Sequence, residues 1–315
     1  MSGRLIMKLT VAEAAAVTAD VSTFAFAHPR RPALPAWVPG AHVDVHLPDG
    51  AVRQYSLYGD PAERGLYRIA VKREDAGRGG SRWLHENLKV GGEIFVSAPR
   101  NHFALNADAK RHVLVAGGIG VTPLIAMARQ LAAEQADFVF HYCARSRESA
   151  PLVAALEALC GDRLRLWLSA EGRRLDIAAL LDAEAGADLY VCGPSALTEA
   201  AEGAAAARGW PEARYHTEHF AARADAGFTP EPFEAVIASS GRVLQVPADR
   251  SLLAVLRENG FVRGSSCEIG VCGTCECGYR DGTVIHRDVV LSHAARKTRL
   301  MPCVSRARGA ITLDL

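Results

Sequence analysis

Three cysteines in one short stretch, Cys267-x4-Cys272-x2-Cys275, with a fourth at Cys303, constrain this 315-residue chain more than any other feature. If one tight loop is to present three thiolates to a shared centre, its backbone amides must also turn inward toward the negative charge that gathers there. Gly270 and Gly273 supply the conformational freedom such a loop needs. The cysteines Cys143, Cys160 and Cys192 are scattered, and eight in all is too few for a disulfide scaffold. In a reducing compartment the crowding suggests a metal site.

The C-x4-C-x2-C…C spacing matches that of plant-type [2Fe–2S] centres, with Cys267, Cys272, Cys275 and Cys303 as ligands. The alternative is a four-cysteine zinc site, which usually pairs two C-x2-C knuckles rather than one longer step and a lone distant cysteine. Cys277 alternates with Cys275 at what reads as the start of a strand, and is expected to be a buried small hydrophobe rather than a fifth ligand.

Length predicts about two domains and permits three small ones. With 36 Lys plus Arg against 35 Asp plus Glu, no global field favours nucleic acid or an anionic membrane. The longest uncharged run, Val113 to Ala128, is broken by Gly117, Gly118, Gly120 and Pro123, which predicts a strand, a tight loop and a helix start rather than a membrane span. Glu13 and Asp20 interrupt the alanine-rich stretch near the N-terminus, so no secretory segment is read there and a cytoplasmic location is expected.

Hydrophobic periodicity changes twice along the chain. Short alternating segments at Val43 to Leu47, Arg53 to Tyr58, Tyr67 to Lys72 and Glu93 to Val96 predict an antiparallel barrel or sandwich, interrupted by one helix from Ser81 to about Leu88 with Ser81 as N-cap. After Asn106, apolar runs at His112 to Ala116, Phe138 to Cys143, Leu164 to Leu168 and Leu189 to Cys192 alternate with helices starting near Pro123, Pro151, Ile177 and Ser195. That order predicts a parallel sheet with covered faces. Ala221 to Phe233 reads as a linker. Beyond it a hairpin (Phe233 to Ser239, turn at Ser240-Gly241, Arg242 to Val246) and an amphipathic helix from Ser251 to about Asn259 precede the cysteine loop. The expected domains are 1–106, 107–226 and 227–315.

Two anion-binding elements fall in the first domain. Arg53-Gln54-Tyr55-Ser56-Leu57 lies on a predicted barrel strand and resembles the flavin motif of the ferredoxin–NADP reductase superfamily. A guanidinium holds a phosphate in bidentate fashion, an aromatic ring stacks on an isoalloxazine, and a hydroxyl addresses its N5 edge. Gly77-Arg78-Gly79-Gly80-Ser81 opens a helix whose free amides can receive a phosphate. In the second domain, Gly117-Gly118-Ile119-Gly120-Val121-Thr122-Pro123 sits between strand and helix, where an open α/β sheet binds a nucleotide diphosphate, and Cys192-Gly193-Pro194 ends another strand. Each glycine turn also has a plain packing role available to it. Arg145, on the turn after the second strand of that sheet, can accept the extra phosphate of NADP, so the choice between NADH and NADPH stays open.

Taken in order, R-x-Y-S-L, G-G-I-G-V-T-P, C-G-P and a C-terminal C-x4-C-x2-C resemble the phthalate dioxygenase reductase family, which includes the vanillate O-demethylase reductases. The resemblance covers nearly the whole chain. It implies a flavin barrel, a nucleotide-binding α/β domain and an α+β ferredoxin domain of the β-grasp type. It further implies FMN, NADH more often than NADPH, and a Rieske non-haem iron oxygenase as electron acceptor, with an FMN site made by Arg53, Tyr55, Ser56, Leu57, Val71, Lys72, Gly79, Gly80, Ser81, Thr122 and Phe220. The NAD(P)H site would be Gly117, Gly118, Gly120, Thr122, Pro123, Arg145, Cys192, Gly193 and Pro194. No catalytic acid or base is assigned, since the cofactors carry the chemistry. His286-Arg287-Asp288 also matches the family and is read as orienting the last domain or shaping the acceptor surface, or as a salt-bridged turn. The expected partner is the oxygenase, with no nucleic acid and no membrane, and the expected state is a monomer. A haem acceptor such as a cytochrome P450, and a zinc-stabilised binding module, are the alternatives.

Overall fold

A computed structural model describes residues 5–221, 227–261 and 264–315. The chain divides into two compact units, Met1–Glu218 and His219–Leu315. Residues 222–226 of the expected linker, and with them the expected domain boundary after 226, lie outside the described residues.

The first unit begins with an antiparallel sheet of β1 (Ile6–Ala16), β2 (Val21–Ala27), β3 (Ala41–His46), β4 (Val52–Ser56), β5 (Tyr67–Lys72), β6 (Glu93–Ser97) and the short β7 (Arg100–Asn101). Its order is β4-β3-β6-β1-β2-β5, and a bridge between Leu57 and Ile69 joins the two outer strands, closing the barrel expected from the alternation. Inward residues such as Leu9, Phe26, Val43, Ile69 and Val96 fill it. The helix α1 (Gly80–Asn87) spans β5 to β6. Ser81 is not its N-cap: Gly79, at φ 80°, takes that position, and the Ser81 hydroxyl instead accepts from the Glu74 amide at 3.0 Å. A left-handed backbone at the cap is open to glycine and strained for serine.

The second part of this unit is a parallel sheet of β8 (Arg111–Gly117), β9 (Asp137–Ala144), β10 (Leu164–Leu168), β11 (Asp188–Cys192) and β12 (Tyr215–Glu218), ordered β10-β9-β8-β11-β12. Helices α2 (Val121–Ala133), α3 (Val153–Cys160), α4 (Ile177–Ala183) and α5 (Ser195–Ala207) connect the strands. Apolar clusters pack separately on either side of the sheet strands, around Leu124, Phe140 and Tyr142 and around Leu181, Val191 and Ala201. The order reverses between β8 and β11, so a crevice opens at their carboxyl ends, the place where such sheets take ligands.

The second unit is a mixed sheet, β14-β13-β17-β15-β16, of β13 (Phe233–Ile237), β14 (Val243–Val246), β15 (Cys277–Ile285), β16 (Arg299–Leu300) and β17 (Arg306–Leu313), with β13 and β17 parallel. Helix α6 (Leu252–Glu258) lays Leu252, Val255 and Leu256 on it and is capped by Ser251, whose hydroxyl accepts from the Ala254 amide at 3.1 Å. Cys277 has no exposed surface and sits in this core. No described helix is long and apolar enough to cross a membrane.

Candidate redox and nucleotide sites

The cysteine loop lies between α6 and β15. Glu268, Gly270 and Gly273 all take positive φ (56°, 78° and 70°), which winds the loop tightly enough to bring its cysteines inward. At Gly270 a side chain would collide with Val304, next to Cys303, and with the backbone of Asp288, so glycine is required by space as well as by backbone angle. Val289 donates to the Gly270 carbonyl at 3.1 Å, seating the loop on the His286-Arg287-Asp288 segment. Asp288 itself is buried and accepts from the Leu291 amide at 2.9 Å.

Cys267, Cys272, Cys275 and Cys303 are all at least nine-tenths buried. Cys267 neighbours Cys272 and Cys275 neighbours Cys303: within each pair the nearby thiol lowers Cys272 and Cys275 below the usual thiol range and raises Cys267 and Cys303 above it. Two pairs are what a binuclear centre asks for, since each iron of a [2Fe–2S] cluster takes two thiolates. The amides of Ile269 and Val271 point to the Cys267 sulfur and that of Gly270 to Cys303, as a negatively charged cluster needs. Met301, Leu291 and Leu253 form the apolar wall. The residues present therefore fit the cluster.

In the barrel, Arg53 and the turn before α1 come together. The guanidinium donates to the carbonyls of Val52 and Arg78, each at 2.9 Å, and a side chain at Gly80 would run into Arg53 Nε at 2.6 Å. Burial, then the neighbouring Arg78, holds Arg53 below the usual guanidinium range. No side chain caps α1, so its first amides are open to an anion beside three arginines, Arg53, Arg78 and the exposed Arg82. A flavin phosphate fits this cradle. Tyr55 is half-buried on β4, and burial raises its hydroxyl pKa. Leu57 turns its side chain into the core, Val71 is buried with its carbonyl held by His85 at 2.8 Å, and Lys72 pairs with Glu74 at 2.7 Å.

Where barrel and parallel sheet meet, the Ser56 hydroxyl donates to Glu218 Oε2 at 3.2 Å. Glu218 ends β12 directly beside Cys192, which ends β11. Burial pushes the Glu218 carboxyl up to about 8 against the opposing pull of Ser56, so the acid keeps its proton at neutral pH. The Cys192 thiol is also pushed up, first by burial and then by Glu218. Phe220, two residues on, is 40% exposed.

At the crevice, Gly120 packs so closely on the Cys192 carbonyl that a side chain there has no room, and Gly117 stands against Pro194 and Gly193 in the same way. Neither α2 nor α5 has a side-chain cap, and the contacts of Gly117 with Gly193, Pro194 and Leu197 set the two helix starts side by side. The helix begins at Val121, two residues before Pro123, behind a 3-10 turn at Gly118–Gly120. Thr122 is buried, and its hydroxyl donates to the Ile119 carbonyl at 3.0 Å. Arg145 is exposed after β9, and Arg147 beside it is paired with Glu157.

Three family models match successive parts of the chain: the oxidoreductase FAD-binding domain over residues 8–105, the dimethylamine monooxygenase subunit DmmA-like N-terminal domain over 94–214, and the 2Fe-2S iron-sulfur cluster binding domain over 235–308. The chain is 43% identical to a vanillate O-demethylase oxidoreductase of Pseudomonas sp. (strain HR199 / DSM 7063), covering 95% of this chain and 96% of that protein. It superposes on phthalate dioxygenase reductase with a TM-score of 0.74 and 35% identity, over 99% of this chain and 98% of that one. The chain belongs to the phthalate dioxygenase reductase family. It is also 45% identical to the heme-dependent oxidative N-demethylase beta subunit of Ectopseudomonas mendocina (strain ymp), over 90% of each.

A member of the phthalate dioxygenase reductase family is an electron-transfer oxidoreductase with a flavin-binding part and a [2Fe–2S] part, and the zinc alternative gives way to the cluster domain. Glu218 escaped the sequence reading, which took only Phe220 from the segment Tyr215 to Phe220. The strand that Glu218 ends, β12, is a half-buried edge strand that was not among the expected ones, so no local signal pointed to it.

Proposed function

We propose that the chain is the reductase component of an oxygenase system, drawing electrons from NADH through FMN and its [2Fe–2S] centre to a Rieske non-haem iron oxygenase. It works as a cytoplasmic monomer in three parts, 1–106, 107–226 and 227–315. When bound, the flavin exchanges electron pairs for single electrons and the cluster stores one at a time. The protein's own work is to hold and shield them. Arg53, Gly79, Gly80 and Ser81 grip the FMN phosphate, and Tyr55 stacks on the ring. Ser56 faces the ring edge with the protonated Glu218 behind it, a proton store one hydroxyl away. Gly117, Gly118, Gly120, Gly193 and Pro194 receive the dinucleotide, whose diphosphate needs the two helix N-termini.

FMN is favoured because three arginines and a helix N-terminus suit a terminal phosphate dianion better than the bridging diphosphate of FAD. NADH is favoured because Glu157 neutralises Arg147, leaving only Arg145 on that turn to meet a 2′-phosphate. The single observation that carries the reading is the set of four buried cysteines, three on one wound loop and Cys303 on the turn after β16. Acid-extracted cofactor identified by chromatography, with cytochrome c reduction compared for NADH and NADPH, tests it: FMN and an NADH preference are expected, and FAD or an NADPH preference contradicts those assignments.

The relative named as a heme-dependent N-demethylase subunit favours a second reading, a haem protein as acceptor. The absorbance of the partner that this reductase reduces separates the two, with a Soret band for haem and a broad visible iron–sulfur spectrum for Rieske.

A further inference from the structure

Tyr142 has no exposed surface, and its ring meets Phe140 edge-on. A phenylalanine would fill the same space. What the hydroxyl adds is one proton shared between two backbone carbonyls, the shorter bond to Pro151 O at 2.9 Å and the longer to Gly118 O at 3.2 Å. Those carbonyls belong to the two loops that leave the carboxyl ends of β8 and β9. Burial raises the phenol pKa, so the hydroxyl remains a donor throughout the working range.

Peptide planarity turns this tie into a statement about ligand binding. Gly118 takes φ 52°, and no peptide is cis among the described residues. With the Gly118 carbonyl aimed at the buried Tyr142, the trans peptide must aim the Ile119 N–H the opposite way, out of the core. That amide lies within the 3-10 turn before α2, which no side chain caps. Tyr142 shares this carbonyl with the Val121 N–H, and the two together hold the Ile119 donor in its outward orientation. The other end of the tie fixes the loop after β9, where the ribose of a dinucleotide lies in sheets of this order.

We propose that Tyr142 is a positioning residue for the dinucleotide, its hydroxyl locking the diphosphate-facing turn at Gly118 to the ribose-facing loop at Pro151 before ligand arrives. The proposal rests on the nicotinamide dinucleotide reading above. Presetting both loops removes an ordering cost from binding and leaves chemistry at the flavin untouched.

The test is Tyr142→Phe in the full chain loaded with flavin and cluster, titrated anaerobically with NADH while flavin bleaching is followed by stopped flow. Dissociation constants for NADH rise by roughly three- to tenfold, the worth of a neutral hydrogen bond, while the limiting rate at saturating NADH is unchanged. An unchanged dissociation constant overturns the proposal, as does a loss confined to the limiting rate or the melting temperature. Hydrogen exchange on the wild-type chain gives a second check that needs no variant: ADP-ribose slows exchange in peptides covering 117–121 and 146–151 together, and protection of only one of them overturns the coupling. A wild-type chain that shows no response to NADH overturns the dinucleotide reading and this proposal together, whereas an unaltered Tyr142→Phe affinity overturns the tie alone.

Discussion

At the head of α1, Gly80 is bare because the Arg53 guanidinium occupies the space a side chain would need; at the head of α2, Gly120 is bare because the backbone of Cys192 stands there. The two turns read alike in sequence, a run of glycines before a helix. One makes room for a cation, so in the function proposed its anion would be held by charge. The other makes room for a second loop, so there an anion would meet backbone amides. They should therefore fail differently, the first to loss of charge and the second to gain of a methyl group.

The largest effect is expected from Gly120→Ala. The new Cβ meets backbone that cannot swing aside, so the turn must shift and NADH affinity falls on the order of a hundredfold, while flavin content and the cluster's EPR signal stay. Titration of flavin bleaching with NADH measures this; equal loss of flavin would show that the two turns are not independent. Arg53→Ala comes next and does the reverse. Losing a charge-assisted, bidentate phosphate contact weakens flavin binding by about ten- to a hundredfold, seen as flavin lost on gel filtration, with the cluster spectrum retained.

Glu218→Gln probes the junction that belongs to both parts. In the folded chain the carboxyl ionises near 8 instead of 4.5, so it stays neutral while the unfolded chain loses its proton. Folding stability therefore declines as pH rises from about 4.5 to 8, by on the order of 2 kcal/mol once local relaxation is allowed for. The glutamine variant lacks this decline. Melting temperatures at pH 5 and pH 8 compare the slopes, and parallel slopes would contradict a half-buried acid held neutral. The smallest effect is Gly79→Ala. The residue takes φ 80°, and a Cβ there would meet only the Arg82 guanidinium at an ordinary contact distance of 4.0 Å, so chiefly the left-handed backbone penalty of about 1–2 kcal/mol applies, and flavin dissociation measured by fluorescence changes less than for Arg53→Ala.

The same contrast explains what could be read from the sequence. Cys267, Cys272, Cys275 and Cys303 were legible because four reactive side chains at fixed spacing have few structural uses. The parallel sheet was legible because apolar runs alternate with helical stretches, and each of those four runs is a strand. The barrel's first two strands were not: Ile6–Ala16 alternates in burial only as far as Val11, and its alanine-rich second half is exposed. Pairing with Val21–Ala27 makes it a strand, overriding a composition that favours helix. Ser81 looked like a cap because capping chemistry is local, whereas its hydroxyl answers to Glu74 across a loop. Glu218 and Tyr142 were hidden for another reason. Their roles depend on partners far along the chain, Ser56 for one and Gly118 for the other, and no local pattern carries such a pairing.

The central claim is that one chain passes electrons from a nicotinamide cofactor through a flavin to the cluster held by its paired cysteines. Its most direct test is low-temperature EPR of the full chain frozen after anaerobic addition of NADH. The account predicts a reduced [2Fe–2S] signal approaching one spin per chain, strongly diminished in Arg53→Ala; flavin bleaching with no cluster signal, or a signal of full size in flavin-free protein, would contradict it.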